Sequence, residues 1–227
     1  MKTLIIIPAY NEASVIFTTL KELKAFLAKA YAADILVVND GSTDATVDEA
    51  ARAGVAVVTH ILNRGLGGAI GTGLAYARKH KYELAVTFDA DGQHEPNDIP
   101  TILEPITAGR ADVVIGSRFA DPSKEMPLDR KVLLRISNLL TYILFGAYTT
   151  DSLSGFRAFN KKAINGIEIK TERMEVSNEL FSEIKRLKLR LSEVPIRVIY
   201  TDYSRSKGQT NTNGINIVFK LLLRLFR

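Results

Sequence analysis

Five short apolar runs occupy the first half of the chain, at residues 3–7, 35–38, 55–59, 84–88 and 112–115, and a helical pattern separates each from the next. Their length and their β-branched and aromatic content read as buried strands. Val15, Ile16, Leu20, Leu23 and Leu27 recur at helical spacing after the first run. Ser42 or Thr43 can cap a second helix. A third helix, of small residues, opens at Gly65 and runs through Tyr76 and Ala77, and a fourth covers residues 96–106. Alternation this regular predicts a layered α/β domain, with a mainly parallel central sheet flanked by helices.

A parallel sheet presents the carboxyl ends of its strands on one edge, where ligands bind. Four polar clusters follow strand ends here: residues 8–12, 39–44, 63–68 and 89–94. Each alone is ordinary turn chemistry, but four on one edge predict a shared crevice. The last, Asp89-Ala90-Asp91-Gly92-Gln93-His94, places two carboxylates one residue apart. Hard oxygens in that arrangement suit Mg²⁺ or Mn²⁺ bridging the chain to a diphosphate. His94 is read as a helix-start residue rather than a ligand. Backbone amides of the Gly-rich stretch around Gly67 can approach phosphate closely, and Asp40 can accept from a base imide or amide.

The second half has a different character. Residues 121–126 form a polar loop, and a Leu/Ile-rich helical pattern runs over 128–148. After Asp151-Ser152-Leu153-Ser154-Gly155-Phe156-Arg157 come a helix over 176–189, a strand over 191–200 and a polar loop over 204–213. Residues 214–227 form an apolar helix with Lys220, Arg224 and Arg227 on one face. The domain is therefore drawn at 1–213, with 214–227 as a basic amphipathic helix suited either to a membrane interface or to packing on the domain or a partner.

Composition narrows the partners. The chain has 227 residues, no cysteine and a formal charge of +5. It therefore has length for a real core, no thiolate metal site and a preference for anionic partners. The amino terminus enters a strand without a signal-peptide pattern, and no apolar run reaches bilayer-spanning length. The basic residues are scattered and lack aromatic interleaving, which argues against nucleic acid.

Taken together and in order, Pro8-Ala9-Tyr10-Asn11-Glu12, Val38 through Asp44, Gly65-Leu66-Gly67, Asp89 through His94, Gly116-Ser117-Arg118 and Asp151 through Arg157 resemble a known family. The chain is similar to family 2 glycosyltransferases of the dolichol-phosphate mannose synthase, or polyprenyl-phosphate glycosyltransferase, type. The resemblance implies a GT-A fold and inverting transfer from a nucleotide-diphosphate sugar (GDP-mannose or UDP-hexose) to a polyprenyl or dolichyl phosphate. It implies that Pro8, Tyr10, Glu12 and Asp40 hold the nucleoside, and that Asp89, Asp91 and Gln93 handle the metal and diphosphate. Arg118 would hold the acceptor phosphate with Arg130 or Arg135. Ser206-Lys207 with Arg205 would close over the diphosphate, and Arg157 is a further cationic clamp. Asp151 would orient the acceptor or a clamp, or else brace the fold by pairing with Arg157. The family's usual second acid is Asn39 here, which leaves that position without an assigned role.

The expected setting is cytoplasmic, peripheral on the cytosolic membrane face, with a homo-oligomer or a membrane protein as a further partner. Two rivals remain: a family 2 enzyme acting on a soluble saccharide or protein hydroxyl, and a non-catalytic module binding nucleotide or anionic lipid.

Overall fold

The computed structural model of the chain describes residues 1–119, 128–171, 176–197 and 199, the side chains of 128–131 and 133 excepted. Arg205, Lys207 and the 214–227 helix lie outside the described residues, as does the expected 121–126 loop. The strands are β1 (Thr3–Ala9), β2 (Asp34–Asn39), β3 (Ala56–Thr59), β4 (Leu84–Thr87), β5 (Val113–Ser117), β6 (Arg157–Asn160) and β7 (Leu191–Pro195). The helices are α1 (Ile16–Ala30), α2 (Thr46–Arg52), α3 (Gly65–Lys79), α4 (Ile99–Thr107), α5 (Leu128–Phe145), α6 (Lys161–Gly166) and α7 (Val176–Arg186).

The strands form one sheet in the order β3-β2-β1-β4-β6-β5-β7. All pairings are parallel except the two made by β6, which runs antiparallel to both β4 and β5. Side chains alternate across the sheet as strand geometry demands. Ile5, Ile7, Val37 and Val86 enter one apolar layer, with α1 and α4. Leu4, Ile6, Leu36 and Ala85 enter the other, with α3, α6 and α7. Close packing explains the small residues of α3: a Cβ on Gly73 would lie 2.3 Å from Ile6 Cγ2.

Several boundaries differ from the sequence expectation, each for a local reason. β1 continues through Pro8, because its pairing with β4 ends at Ile6 and the missing N–H has no ladder partner to lose. Ser42 and Thr43 do not cap α2. The N-cap position is Ala45; Asp44 just before it accepts at Oδ1 from Thr46 N at 3.0 Å, while Ser42 Oγ accepts from Asn11 N. α5 stops at Phe145 because Gly146 takes φ +69°, a common helix terminator. α7 stops at Arg186, before Lys188 at φ +48°. β7 ends at Pro195, after which Ile196 N bonds Ser117 O, Arg197 N bonds Asp98 and Ile199 N bonds Gln93 O. The sequence reading missed β6 and α6 altogether; Arg-Ala-Phe-Asn and Lys-Lys-Ala-Ile-Asn-Gly each hold only two apolar residues, too few to read as a run.

Candidate active site

The expected crevice exists. A pocket of about 310 Å³ lies beyond the carboxyl ends of β1, β2 and β4. Pro8, Tyr10 and Glu12 line it from the first loop, Asp40 from the second, and Asp89 and Asp91 from the fourth. From the third cluster Leu66 reaches the wall, joined by Ile70 further along α3, while Gly67 is buried in the first turn of α3. A larger groove, about 940 Å³, lies at the opposite edge around the amino ends of β1 and β2. Its lysines are tied to backbone carbonyls, Lys24 to Ala53 O and Lys2 to His80 O, and it carries no acid pair.

The first two loops lock each other. Asn11, at φ +54°, accepts from Thr43 N at 2.9 Å, and Glu12 N donates to Thr46 Oγ1 at 2.8 Å. Asp40 is 3% exposed and accepts three hydrogen bonds. These come from His60 Nδ1 at 2.7 Å, Arg64 N at 2.8 Å and Gly65 N at 2.6 Å. One acid therefore ties β2 to the start of α3. His60 continues the chain of contacts, its Nε2 lying 2.8 Å from Thr72 Oγ1. His60 and Thr72 carry no motif and were not anticipated from sequence.

Asp89 and Asp91 differ in environment. Asp89 keeps 39% of its side chain accessible, with Oδ2 3.0 Å from His94 Nε2. That contact is off hydrogen-bond geometry, so neither ring nitrogen of His94 is satisfied. His94 is buried, stacked on Phe156 at 4.8 Å and edge-on to Phe88 at 5.4 Å. It is a buried neighbour of Asp89 rather than a helix start; Glu95 caps the following turn. Burial pushes the Asp89 carboxyl up, but His94, Arg118 and Arg157 together hold it below the usual carboxylate range. Burial, and then the charge of Asp89, push Asp91 up. Gln93 braces Asp91 from its backbone N at 3.0 Å and from its side-chain amide at 2.6 Å.

The loop before β6 completes the pocket with Leu153, Ser154 and Gly155. A Cβ on Gly155 would lie 2.7 Å from Asp89 Oδ1, so only glycine lets the carboxylate rest there. Arg157 lines the pocket while 2% exposed, donating to Ser152 O and Ser177 Oγ and leaving its buried Nε unsatisfied. Burial pushes its guanidinium down to about 10, still charged at neutral pH.

Asp151 is fully buried and pairs with Arg118, not with Arg157 as the bracing alternative had it. Arg118 Nε and Nη2 lie 2.6 and 2.7 Å from its two oxygens, a bidentate fork. Asp151 is sealed from the pocket, so its role is to hold Arg118, whose backbone N also donates to it at 3.1 Å. Neither residue lines the pocket itself. Glu193 on β7 accepts from the backbone N of both Thr150 and Asp151. Asn138 on α5 grips the same loop, donating to Thr150 O and accepting from Ser152 N. Arg135 is exposed on α5, and the Arg130 side chain lies outside the described residues.

The sequence pattern described as "Glycosyl transferase family 2" matches residues 4–167. A UDP-N-acetylglucosamine–dolichyl-phosphate N-acetylglucosaminyltransferase of Methanococcus voltae is 37% identical, over 96% of this chain and 94% of its own length. An undecaprenyl-phosphate mannosyltransferase of Micrococcus luteus is 34% identical, over 96% and 92%. Among solved structures, glucosyl-3-phosphoglycerate synthase from Mycobacterium tuberculosis, in complex with Mn²⁺, UDP and phosphoglyceric acid, superposes with a TM-score of 0.70. It is 19% identical, over 97% of this chain and 78% of that one, and shares the fold.

Proposed function

The chain belongs to glycosyl transferase family 2, with a GT-A fold, and from that premise we propose an inverting, metal-dependent transfer from a nucleotide-diphosphate sugar to a polyprenyl phosphate. The observation that carries this reading is the convergence of acids and a buried arginine on one pocket at the carboxyl edge of the sheet.

The donor set fits a hard divalent cation. Asp89 and Asp91 offer carboxylates in one pocket, and Asp91 is hard to ionise beside its neighbour unless positive charge joins them. Mg²⁺ and Mn²⁺ take one or two carboxylates and keep substrate phosphates and water in the rest of their shell. Asp89, Asp91 and the Gln93 amide oxygen would hold the ion. When bound, it supplies Lewis-acid stabilisation of the departing nucleoside diphosphate.

The rest of the chemistry belongs to the chain. Pro8, Tyr10, Glu12 and Asp40 seat the nucleoside. Arg157 places fixed positive charge in the pocket wall, where low dielectric strengthens it. Arg118, aimed by Asp151, meets the acceptor phosphate, which is largely ionised near neutral pH because its second pKa is about 6. Activation by a strong general base is therefore unnecessary, and positioning carries the reaction.

The acceptor side supports a membrane-borne substrate. Val132, Ile136, Leu139, Tyr142 and Ile143 are all exposed on α5, the helix whose Asn138 holds the Asp151 loop. Their spacing forms one apolar stripe, with exposed Arg135 alongside, suited to the interface of an anionic leaflet. No helix among the described residues is long and apolar enough to cross a membrane. We place the enzyme peripherally on the cytosolic face.

The decisive assay combines purified protein, Mn²⁺, a panel of nucleotide sugars and a short polyprenyl phosphate. Lipid-linked sugar should form and should fall by about 10³-fold in Asp91→Ala, equivalent to several kcal/mol of lost stabilisation. Transfer to soluble hydroxyls alone would defeat the assignment.

A further inference from the structure

The three hydrogen bonds into Asp40 bear on which nucleobase the pocket takes. A carboxylate has about four acceptor positions. His60 Nδ1 and Arg64 N occupy both on Oδ1, and Gly65 N occupies one on Oδ2. One acceptor position remains, on an acid that is 3% exposed and lines the pocket. Because a carboxylate only accepts, Nδ1 of His60 carries a proton, and its Nε2 is hydrogen-bonded to the Thr72 hydroxyl. The ring is held at both ends, so it cannot swing away to release Oδ1.

Guanine presents two adjacent donors, N1–H and the 2-amino group, which match two free carboxylate oxygens. Here the second donor would be buried without a partner, at a cost that falls directly on affinity. Adenine and cytosine place a ring acceptor beside their amino group, facing the acid with a lone pair. Uracil presents a single ring N–H, and one open position satisfies it.

We propose that the pocket selects a uracil nucleotide, and that His60, held by Thr72, is the specificity-determining residue because it fills the position a second base donor would need. The inference rests on the reading that Asp40 meets the base.

The test measures binding of UDP, GDP, CDP and ADP, each with Mn²⁺, to the full chain by calorimetry. UDP should bind at least about tenfold more tightly than GDP. His60→Ala should lower that ratio by about tenfold, mainly through improved GDP binding, while His60→Gln, which restores a side-chain donor, should recover part of it. Thr72→Val should shift the ratio in the same direction by less, and it serves as the readout if His60→Ala fails to fold. GDP binding as tightly as UDP in the wild type overturns the base assignment while leaving the nucleotide site intact. A UDP-to-GDP ratio unchanged in folded His60 and Thr72 variants overturns the role of His60. No binding of any nucleotide overturns the underlying reading of the pocket itself.

Discussion

Asp40 and Asp151 are both buried acids just beyond the sheet edge, yet they are held in opposite ways. Asp40 is held by two backbone amides and a histidine, and still forms part of the pocket wall. Asp151 gives both oxygens to the guanidinium of Arg118. The first arrangement organises loops and leaves a negative edge in the wall. The second fixes a long cationic side chain in place. With Arg157 in the pocket wall, the β6 side of the site carries buried cationic charge. That division suits a nucleoside on one side and a phosphate acceptor on the other.

The contrast can be broken experimentally. Asp151→Ala strips a buried guanidinium of its partner and should cost about 3–5 kcal/mol in urea unfolding. Asp40→Ala orphans amides and a ring nitrogen, and should cost about 1–3 kcal/mol. Equal losses would mean that the two acids do the same job. Arg118→Ala should raise the acceptor KM about tenfold while leaving the donor KM unchanged; a matching change in both would erase the division into two sides. Gly155→Ala should press on Asp89 Oδ1 and raise the Mn²⁺ concentration for half-activity by roughly tenfold, the low end for perturbing the support of a metal ligand.

The smallest effect should come from a control outside both sides. Asp112, at the opposite sheet edge, is held below the usual carboxylate range, first by its hydrogen bond to Arg190. A depressed folded value means its contribution is present above the ordinary carboxylate range and is lost as pH falls below it. Asp112→Asn should flatten the acid limb of the stability curve and leave transfer at neutral pH unchanged. Altered transfer would show that the far edge communicates with the site.

The sequence carried the donor side well. Residues 8–12, 39–44 and 89–94 follow strands long enough to be read, so their meeting in one pocket followed from parallel-sheet geometry. The acceptor side was less legible. β6 carries only Ala158 and Phe159 as apolar residues, and its reversal leaves no trace in the sequence. The Arg118–Asp151 pair joins positions 33 apart, with nothing local to single it out from a pairing with Arg157. His60, Thr72, Asn138 and Glu193 work through side chains that only the fold brings together. Gly155 had a visible signal in its motif, but its reason, the resting place of Asp89, needs coordinates.

The reversal of β6 has a further consequence. β1, β2 and β4 deliver pocket residues at and beyond their carboxyl ends; β6 delivers Arg157 from its first position and Leu153, Ser154 and Gly155 from the segment that arrives. That part of the wall therefore depends on the run before β6, which Asn138 and Glu193 hold, rather than on the loops that follow β1, β2 and β4.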